Sequence, residues 1–251
     1  MIKVLMFGCN GQMGRVISDL VLDMDDVKIT AGVDAVKKGN EGYPVYDCLD
    51  ACDQEVDVIV DFSAAAAVDQ VIEYAAAHKI PLVECTTGLS EEQLARLEEC
   101  SRQTAVLRSA NMSLGVNTLL KLVGIAARVL ARSGFDMEIV EKHHRRKLDA
   151  PSGTALALAD AITEALEEDY DYVYNRSDRR MRRPEKEIGI SAVRGGSIVG
   201  VHDVIFAGTD EVVELHHTAY SRAIFGKGAI AAAKFLAGQE AGMYSMKDVI
   251  G

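Results

Sequence analysis

The chain has 251 residues, enough for one large domain or two modest ones, and 49% of them are hydrophobic, so it can bury a sizeable core. Its 38 acidic and 27 basic side chains give a formal net charge of -11, which makes nucleic acid and anionic membranes poor partners. The five cysteines contain no CxxC spacing, so we expect neither a disulfide framework nor a common zinc site. No export signal or membrane anchor is visible, and we expect a cytoplasmic protein.

The first 110 residues are predicted to alternate between strands and helices. Apolar runs typical of strands occupy residues 3–7, 27–33, 56–62, 81–85 and 105–107. Helical stretches lie between them, and Ser90 begins one of these as a capping box. Because parallel neighbours need crossover connections, the alternation predicts an α/β fold with a Rossmann-type, doubly wound parallel sheet.

The pattern changes in the second half of the chain. A long apolar helix is predicted over 114–130 and a short strand over 137–140. Three β-rich runs, 188–193, 197–206 and 211–219, are separated by glycines and predict antiparallel hairpins. We therefore expect a second, α+β domain built on an open mixed sheet.

These patterns predict two domains. Residues 1–112 and 223–251 are expected to form one domain, and residues 113–222 the other. Residues 169–187 are charged and lack clear periodicity, which indicates a long loop. Its arginines between 176 and 183 are interleaved with acidic residues, and no aromatic platform accompanies them. A solvated loop is therefore favoured over a nucleic-acid site.

A glycine-rich turn, Gly8-Cys9-Asn10-Gly11-Gln12-Met13-Gly14, follows the first strand and opens a helix. Its GxxGxxG spacing would permit a tight turn, close approach to a pyrophosphate and close helix packing. Asp34 ends the second strand, where an acid can accept hydrogen bonds from an adenosine ribose. Such glycines can also serve backbone geometry alone. The combination of strand, turn, helix and acid predicts a nicotinamide dinucleotide site.

The sequence leaves the choice between NADH and NADPH open. Asp34 favours a free 2′-hydroxyl. In contrast, Arg15, Lys37 and Lys38 could neutralise a 2′-phosphate. We expect both cofactors to be used.

Residues 141–154 combine proton donors, fixed positive charge and a helix start. The predicted strand upstream would deliver His143 and Lys147 to its exit. Pro151-Ser152-Gly153-Thr154 precedes an Ala-rich helical stretch, so its hydroxyls and free amides lie where a helix N-terminus favours a carboxylate or phosphate. Such a segment can hold an anion and protonate it.

The adjacent histidine pairs do not predict a metal site. Neighbours on a strand point to opposite faces, so each pair offers one ligand per face. The sequence has no HExxH or Cys/His array, and we expect no metal. We interpret His216 and His217 as hydrogen-bonded within a sheet, whereas His143 and His144 lie at a strand exit beside Lys147.

Residues 141–154 resemble the E-x-HHxxKxDAPSGTA motif of the 4-hydroxy-tetrahydrodipicolinate reductase family, also called dihydrodipicolinate reductases. Further segments that resemble the family occur in family order over essentially the whole chain. They are 8–14, 61–63, 86–88, 109–113, 193–196 and 242–249. The resemblance implies NADH- or NADPH-dependent reduction of 4-hydroxy-tetrahydrodipicolinate to tetrahydrodipicolinate in the diaminopimelate branch of lysine biosynthesis. Hydride would pass to C4 of this cyclic dicarboxylate with loss of its 4-hydroxyl.

The resemblance also implies roles for individual residues. His143 would donate or accept a proton, and Lys147 would be the second proton donor. His144, Gly153 and Thr154 would bind substrate carboxylate. The residues lining the dinucleotide would be Gly8, Cys9, Asn10, Gly11, Gln12, Met13, Asp34, Cys85, Thr86, Thr87, Ser109, Ala110, Asn111 and Met112. The resemblance implies that residues 1–112 and 223–251 form the dinucleotide-binding domain and residues 113–222 the substrate-binding and oligomerisation domain. By analogy with the family, we expect a homotetramer.

Three residues depart from the family pattern in the cofactor half. Cys85 stands where a Gly-Thr-Thr-Gly turn usually has its first glycine. Met112 stands where an aromatic residue often packs on the nicotinamide, and Ala35 where an arginine often follows the acid. These changes affect the cofactor preference and the nicotinamide pocket rather than the acid chemistry. Arg146, within the HHxxK interval, is a lesser change.

Two other functions are compatible with the sequence. Another NAD(P)-dependent reductase of a small carboxylic acid could share this scaffold, since a fold does not fix function. A non-catalytic dinucleotide sensor would bind the cofactor without turnover. Such a sensor would have no reason to retain both His143 and Lys147 beside a helix start that binds carboxylate.

Overall fold

The structure is a computed structural model and describes residues 1–36 and 42–251. In chain order, the strands are β1 (Ile2–Phe7), β2 (Val27–Val33), β3 (Val45–Tyr46), β4 (Val58–Asp61), β5 (Leu82–Glu84), β6 (Ala105–Arg108), β7 (Asp136–His143), β8 (Asp171–Val173), β9 (Glu187–Arg194), β10 (Gly200–Ala207), β11 (Val212–Ala219) and β12 (Gly242–Tyr244). The α-helices are α1 (Gln12–Val21), α2 (Val68–His78), α3 (Glu91–Ser101), α4 (Leu114–Leu130), α5 (Gly153–Leu166), α6 (Ala223–Leu236) and α7 (Met246–Ile250). Short 3₁₀ helices span Leu49–Ala51, Ala65–Ala67 and Ala131–Ser133. The chain divides into two compact units, Met1–Leu114 with Ala223–Gly251 and Gly115–Arg222.

The first unit is built on a parallel sheet with the strand order β12-β6-β5-β4-β1-β2-β3. Its central strands are buried on both faces, because Val4 and Met6 of β1 lie in one hydrophobic cluster and Leu5 and Phe7 in another. The first cluster includes residues of α1 and α6, and the second includes residues of α2 and α3. Helices therefore cover both faces, and the predicted doubly wound parallel sheet is confirmed.

The second unit contains a mixed sheet with the strand order β11-β10-β7-β9-β8. β9 is parallel to both β7 and β8, whereas β10 is antiparallel to β7 and β11. α4 and α5 pack on one face of this sheet, where Leu119 and Leu158 join Ile139 and Phe206 in a buried cluster. The prediction of an α+β domain on a mixed sheet is confirmed.

The predicted pairing of residues 188–193 is wrong. These residues lie in β9, which pairs with β7 and not with β10, because β7 occupies the position between them. β7 is also longer than predicted, since it runs on to His143. The charged residues near the end of β7 interrupt the alternation of apolar and polar residues that identifies a strand, although Glu141 is fully buried. Sequence periodicity identifies a strand but does not say which distant strand pairs with it.

The arginine-rich segment is attached to the sheet by ion pairs. Arg176 and Arg183 both contact Glu138 of β7. Arg179 contacts Glu187, whose side chain is buried. β8 also lies in this segment, as an edge strand beside β9. Apart from β8, the segment is irregular and largely exposed, as predicted, but the charge of these three arginines compensates acidic residues of the sheet.

α4 illustrates how a core helix can look like a membrane span. With the 3₁₀ turn that follows it, α4 is the one helix in the described part of the chain that is long and apolar enough to cross a membrane. Val123 and Ala127 are buried in the core of the second unit, whereas Ile125 and Val129 are exposed. Core helices of soluble proteins pass the same test of length and composition, so α4 alone does not indicate a membrane.

Replacement of Gly228 tests a close backbone approach inside the first unit. A Cβ at Gly228 of α6 would overlap the carbonyl oxygen of Met112. We expect Gly228→Ala to lower the free energy of unfolding by about 1–3 kcal/mol through overpacking, although alanine is the better helix former. Denaturant titration measures this change. The matched control is Gly124→Ala in α4, where the new methyl group would meet Ala165 at an ordinary 3.5 Å. Equal stability of the two variants would contradict this prediction.

Candidate active site

The parallel strands of the first unit end beside the residues predicted to bind the dinucleotide. β1 ends before Gly8, β2 before Asp34, β5 before Cys85 and β6 before Ser109. Because these strands are parallel, their carboxyl ends lie at one edge of the sheet. The structure therefore brings the predicted cofactor residues to the edge where doubly wound folds bind their ligands.

The glycine-rich turn is shaped by close backbone approach. Gly8 has a φ of 79°, a conformation that favours glycine. A Cβ at this position would lie 2.8 Å from the Phe62 carbonyl oxygen. A Cβ at Gly14 would overlap the carbonyl oxygen of Gly8. Gly11 is the N-cap of α1 and has no side chain to cap it. Backbone geometry thus requires glycine at positions 8 and 14, and it leaves a helix N-terminus suited to a phosphate.

Asp34 joins the end of β2 to the glycine-rich turn. Its Oδ2 accepts a hydrogen bond from the Asn10 amide (2.9 Å), and its Oδ1 accepts one from the Val36 amide (3.0 Å). Each oxygen has a second lone pair with which it can accept a ribose hydroxyl. Arg15 is exposed, whereas Lys37 and Lys38, predicted to meet a 2′-phosphate, lie outside the described residues.

Several predicted cofactor residues have buried side chains. Cys9 is fully buried, and burial raises the pKa of its thiol to about 11. Met112 is 4% exposed and packs in the core of the first unit, so its thioether does not take the place of an aromatic ring at the surface. Thr86 is 8% exposed, and its amide donates a hydrogen bond to Glu84 (2.7 Å). Cys9 and Met112 can therefore face a ligand with their backbone only.

Glu141 is the centre of the polar network in the second unit. Its side chain is fully buried on β7. It accepts hydrogen bonds from both terminal nitrogens of Arg194 (2.6 and 2.7 Å), from His143 Nδ1 (2.6 Å) and from the Ser152 amide (3.0 Å). Burial by itself would raise the pKa of Glu141, but these hydrogen bonds hold it below its ordinary value. Glu141 is therefore a carboxylate that can only accept hydrogen bonds.

The charge of Glu141 determines which nitrogen of His143 is free for chemistry. Because the carboxylate can only accept, Nδ1 of His143 must donate to it. Nε2 is then the ring atom that gains or loses a proton. A Cβ on Gly200 of β10 would lie 3.1 Å from Nε2, closer than ordinary contact, so the glycine leaves room for the ring. The His143 side chain remains 11% exposed.

The N-terminus of α5 begins next to this histidine. Ser152 is its N-cap, and the hydroxyl accepts a hydrogen bond from the Ala155 amide (3.3 Å). Gly153 is the first helical residue, and within the described ranges no acceptor contacts its amide. The predicted helix start is confirmed. With the amide of Ser152 bound to Glu141, the network fixes the position of a helix end that can hold an anion.

His202 of β10 supports the same helix start. Its Nε2 lies 3.2 Å from the Ser152 hydroxyl, and its ring packs edge-on against His143 with centroids 5.2 Å apart. Burial, and then the neighbouring His143, lower the pKa of His202 to about 4. His202 is therefore neutral at neutral pH and holds Ser152 without competing for the negative charge of Glu141.

Lys147 and His144 lie in the turn after β7. The Lys147 ammonium group contacts Asp149 at 2.9 Å, and the Asp149 side chain is 56% exposed. Such a solvated ion pair is weak, so an anionic ligand can replace Asp149. Nδ1 of His144 is buried with no hydrogen-bond partner within the described residues. The structure thus places the predicted residues His143, His144, Lys147 and Gly153 along one short segment.

The second histidine pair is only partly as predicted. His216 contacts Asp203 and donates to or accepts from the Thr218 hydroxyl (2.7 Å), as expected for a histidine hydrogen-bonded in a sheet. His217 lies beside His202, with ring centroids 6.5 Å apart, and its Nδ1 has no partner in the described part of the chain. Across residues 1–36 and 42–251, no group of three or more His, Cys, Asp or Glu side chains could hold a metal ion.

Comparison with known protein families covers both halves of the chain. A family model described as dihydrodipicolinate reductase, N-terminus, matches residues 2–112, and one described as dihydrodipicolinate reductase, C-terminus, matches residues 115–250. The chain belongs to the dihydrodipicolinate reductase family. The family predicted from the motif of residues 141–154 is confirmed.

Curated relatives agree with this family. The 4-hydroxy-tetrahydrodipicolinate reductase of Caldanaerobacter subterraneus subsp. tengcongensis is 51% identical over 250 residues, which cover 100% of this chain and 98% of the relative. The protein of the same name from Clostridium tetani is 46% identical over 246 residues, which cover 98% of this chain and 96% of the relative. The similarity therefore spans both units.

Solved structures share the fold at lower identity. The dipicolinate-bound dihydrodipicolinate reductase from Paenisporosarcina sp. TG-14 has a TM-score of 0.82 and 22% identity, and the match covers 99% of each chain. The DAP dehydrogenase of C. glutamicum, in complex with DAP, has a TM-score of 0.58 and 16% identity over 100% of this chain and 96% of that one. At these identities the likeness shows the fold alone.

The residues that support the site are not among those predicted from the sequence. Glu141 carried a usable signal, because residues two apart on a strand point to the same face and Glu141 precedes His143 by two. Arg194 and His202 carried none. They reach the site through the pairing of β9 and β10 with β7, in which Arg194 lies opposite His143 and His202 opposite Glu141.

The buried His202 predicts acid sensitivity. Its pKa falls from an ordinary 6.5 to about 4 on folding, so the unfolded chain binds more protons between these values. We therefore expect the free energy of unfolding to fall by up to about 3 kcal/mol as the pH drops through this window. Denaturant titrations from pH 7 to 4 measure the slope, which His202→Gln should reduce. The exposed His78→Gln is the control, and an unchanged slope in His202→Gln would refute the assignment.

Proposed function

We propose that this chain catalyses the reduction of 4-hydroxy-tetrahydrodipicolinate to tetrahydrodipicolinate with NADH or NADPH, in the diaminopimelate branch of lysine biosynthesis. The observation that carries the proposal is the arrangement of His143 and the start of α5 around Glu141, with Lys147 in the turn that follows, in a chain of this family. The overall reaction uses one hydride and one proton and releases the 4-hydroxyl as water. The bound nicotinamide would supply the hydride to C4.

The residues of the second unit supply binding and proton transfer in this proposal. The amide of Gly153 and the adjacent Thr154 bind one substrate carboxylate at the N-terminus of α5, with His144 as a further donor. Lys147 leaves Asp149 to pair with the dianionic substrate and serves as a proton donor. Nε2 of His143 gives or takes a proton, because Glu141 keeps Nδ1 protonated. A local basic site thus serves a chain whose net charge is -11.

The first unit would hold the dinucleotide at the carboxyl edge of its sheet. The pyrophosphate would lie at the glycine-rich turn, and a ribose would meet Asp34. The turns after β5 and β6 would line the nicotinamide half with Cys85–Thr87 and Ser109–Met112. Because both oxygens of Asp34 keep a lone pair free and Arg15 is exposed, we propose that both NADH and NADPH are used. The five cysteines are free thiols, which suits a reducing cytoplasm.

Removing either proton donor should stop turnover without affecting cofactor binding. With substrate generated by the upstream synthase, we expect His143→Ala and Lys147→Ala each to lower kcat about 10²–10⁴-fold, the usual value of a positioned acid or base. The Kd of the reduced cofactor should stay within about twofold of wild type. NAD(P)H absorbance follows turnover, and fluorescence of the bound cofactor follows binding.

Exposed residues of the same types provide the controls, His78→Ala on α2 and Lys28→Ala on β2. Unchanged turnover in both active-site variants would refute the proton-donor roles. Cofactor binding with no turnover of this substrate by wild type would point to another acid substrate or to a sensor, and a panel of small carboxylic acids separates these two.

We further propose a homotetramer that uses the outer face of the mixed sheet. α4 and α5 cover one face only, and Val193 of β9 and Val212 of β11 are 44% and 56% exposed. Light scattering should give the mass of four chains. Val193→Asp should reduce that mass, because a charge placed on a buried apolar contact is costly. Leu22→Asp, on the exposed side of the first unit, is the control and should leave four chains together. A wild-type mass of one chain would refute the proposal.

A further inference from the structure

Two carboxyl groups lie side by side inside the first unit. Asp61 is the last residue of β4 and Glu84 the last residue of β5, and the two are paired in register. Their exposures are 0% and 1%. In-register neighbours on parallel strands point to the same face, so the two buried carboxyl groups lie side by side, and each influences the pKa of the other.

Each carboxyl group holds the turn that follows its strand. Asp61 Oδ1 accepts a hydrogen bond from the Ser63 amide, and Glu84 Oε1 accepts one from the Thr86 amide, both at 2.7 Å. The remaining oxygens, Asp61 Oδ2 and Glu84 Oε2, are buried and receive no hydrogen bond from any group in the described residues. Two ionised carboxylates cannot donate to each other, so contact between them requires a proton.

In the part of the chain that the structure describes, no cation compensates this pair. Within residues 1–36 and 42–251, neither carboxyl group forms an ion pair with lysine, arginine or histidine. Arg108, the in-register neighbour of Glu84 on β6, is exposed. The other groups that face the pair are the Ser63 and Thr86 hydroxyls and the Cys85 thiol. Burial and then the Asp61 charge raise the pKa of Glu84 to about 9.

The pair lies where a dinucleotide would be held. Ser63 and Thr86 belong to the turns at the carboxyl ends of β4 and β5, at the ligand-binding edge of the sheet. Cys85, Thr86 and Thr87 are among the residues assigned above to the nicotinamide half. A change in the distance between the two carboxyl groups would move both turns, since each group holds a backbone amide of one turn.

We propose that Asp61 and Glu84 share one proton, and that this acid–carboxylate pair is the positioning element that sets the spacing of the two turns of the cofactor site. The inference rests on the proposed function. It assigns the pair no contact with the reacting atoms. Loss of the shared proton would leave two buried negative charges facing each other, and their repulsion would separate the turns.

Substitution of Glu84 tests the proposal through cofactor affinity. The side chain in Glu84→Gln keeps a donor toward Asp61 and an acceptor for the Thr86 amide, but it cannot lose a proton. At pH 7 we expect its Kd for NADH and NADPH to match wild type within about twofold. Above pH 9 the wild-type Kd should rise by up to about tenfold per pH unit, while the Kd of Glu84→Gln stays flat. Glu84→Leu, which cannot donate, should bind the cofactor about tenfold more weakly at every pH.

Fluorescence of the reduced cofactor measures these affinities. The protein contains no tryptophan, so it adds no tryptophan fluorescence to the signal. Glu98→Gln, at an exposed position of α3, is the matched control and should follow wild type. An equal dependence of Kd on pH in wild type and Glu84→Gln would overturn the proposal that the pair shares a proton. Weak cofactor binding by Glu84→Gln at pH 7 would overturn it as well.

A second readout separates this proposal from the proposed function. Because the folded state keeps a proton that the unfolded chain loses near pH 4.5, the contribution of Glu84 to wild-type stability should fall as the pH rises from about 4.5 to about 9. The slope above pH 6.5 isolates this contribution, because that of His202 has the opposite sign and is confined to lower pH. In Glu84→Gln this slope should be smaller. Binding of neither NADH nor NADPH by wild type would refute the proposed function and the positioning role. Cofactor binding with equal stability slopes in both proteins would overturn the shared proton alone.

Discussion

The second unit depends on one buried carboxylate and the donors around it. Glu141 joins three parts of the chain: His143 on its own strand, Arg194 on β9 and the Ser152 amide at the start of α5. An unpaired carboxylate at this depth would be strongly destabilising, so these donors stabilise the fold as well as orient the site. One ion thus orients an imidazole, aligns a helix N-terminus and connects two strands, which explains why the groups proposed for binding and proton transfer lie in so short a segment.

The first unit also buries carboxyl groups, but it does not pair them with basic side chains. At the ends of β4 and β5 there are two buried acids with no cation beside them among the described residues, and in the arrangement proposed above a proton takes the place of arginine. The rest of the cofactor edge is held by backbone approach, with glycine required at positions 8 and 14. The loops of the second unit are therefore positioned by a network of charged groups. Those of the first unit are positioned by close backbone packing and a carboxyl pair.

The sequence predicted local features well and long-range pairing poorly. β2 and α4 have their predicted bounds. Ser90 forms the predicted capping box of α3, and Ser152 is the N-cap at the predicted start of α5. All of these features depend on residues that are neighbours in the chain. The place of β9 beside β7 could not be read from periodicity, and with it Arg194 and His202 were missed. The edge strands β3 and β12 are too short to give a periodic signal. A polar residue whose hydrogen-bond partners lie on other strands cannot be recognised as buried from its neighbours in the sequence.

The central claim is that Glu141 keeps the proton of His143 on Nδ1 and leaves Nε2 for chemistry. Long-range ¹H–¹⁵N NMR of histidine-labelled protein, with the His143 signals assigned by substitution, reads the protonation of both ring nitrogens during a pH titration. We predict that the neutral His143 ring carries its proton on Nδ1, and that Glu141→Gln abolishes this preference. A neutral His143 ring with its proton on Nε2 in the wild-type protein would contradict it.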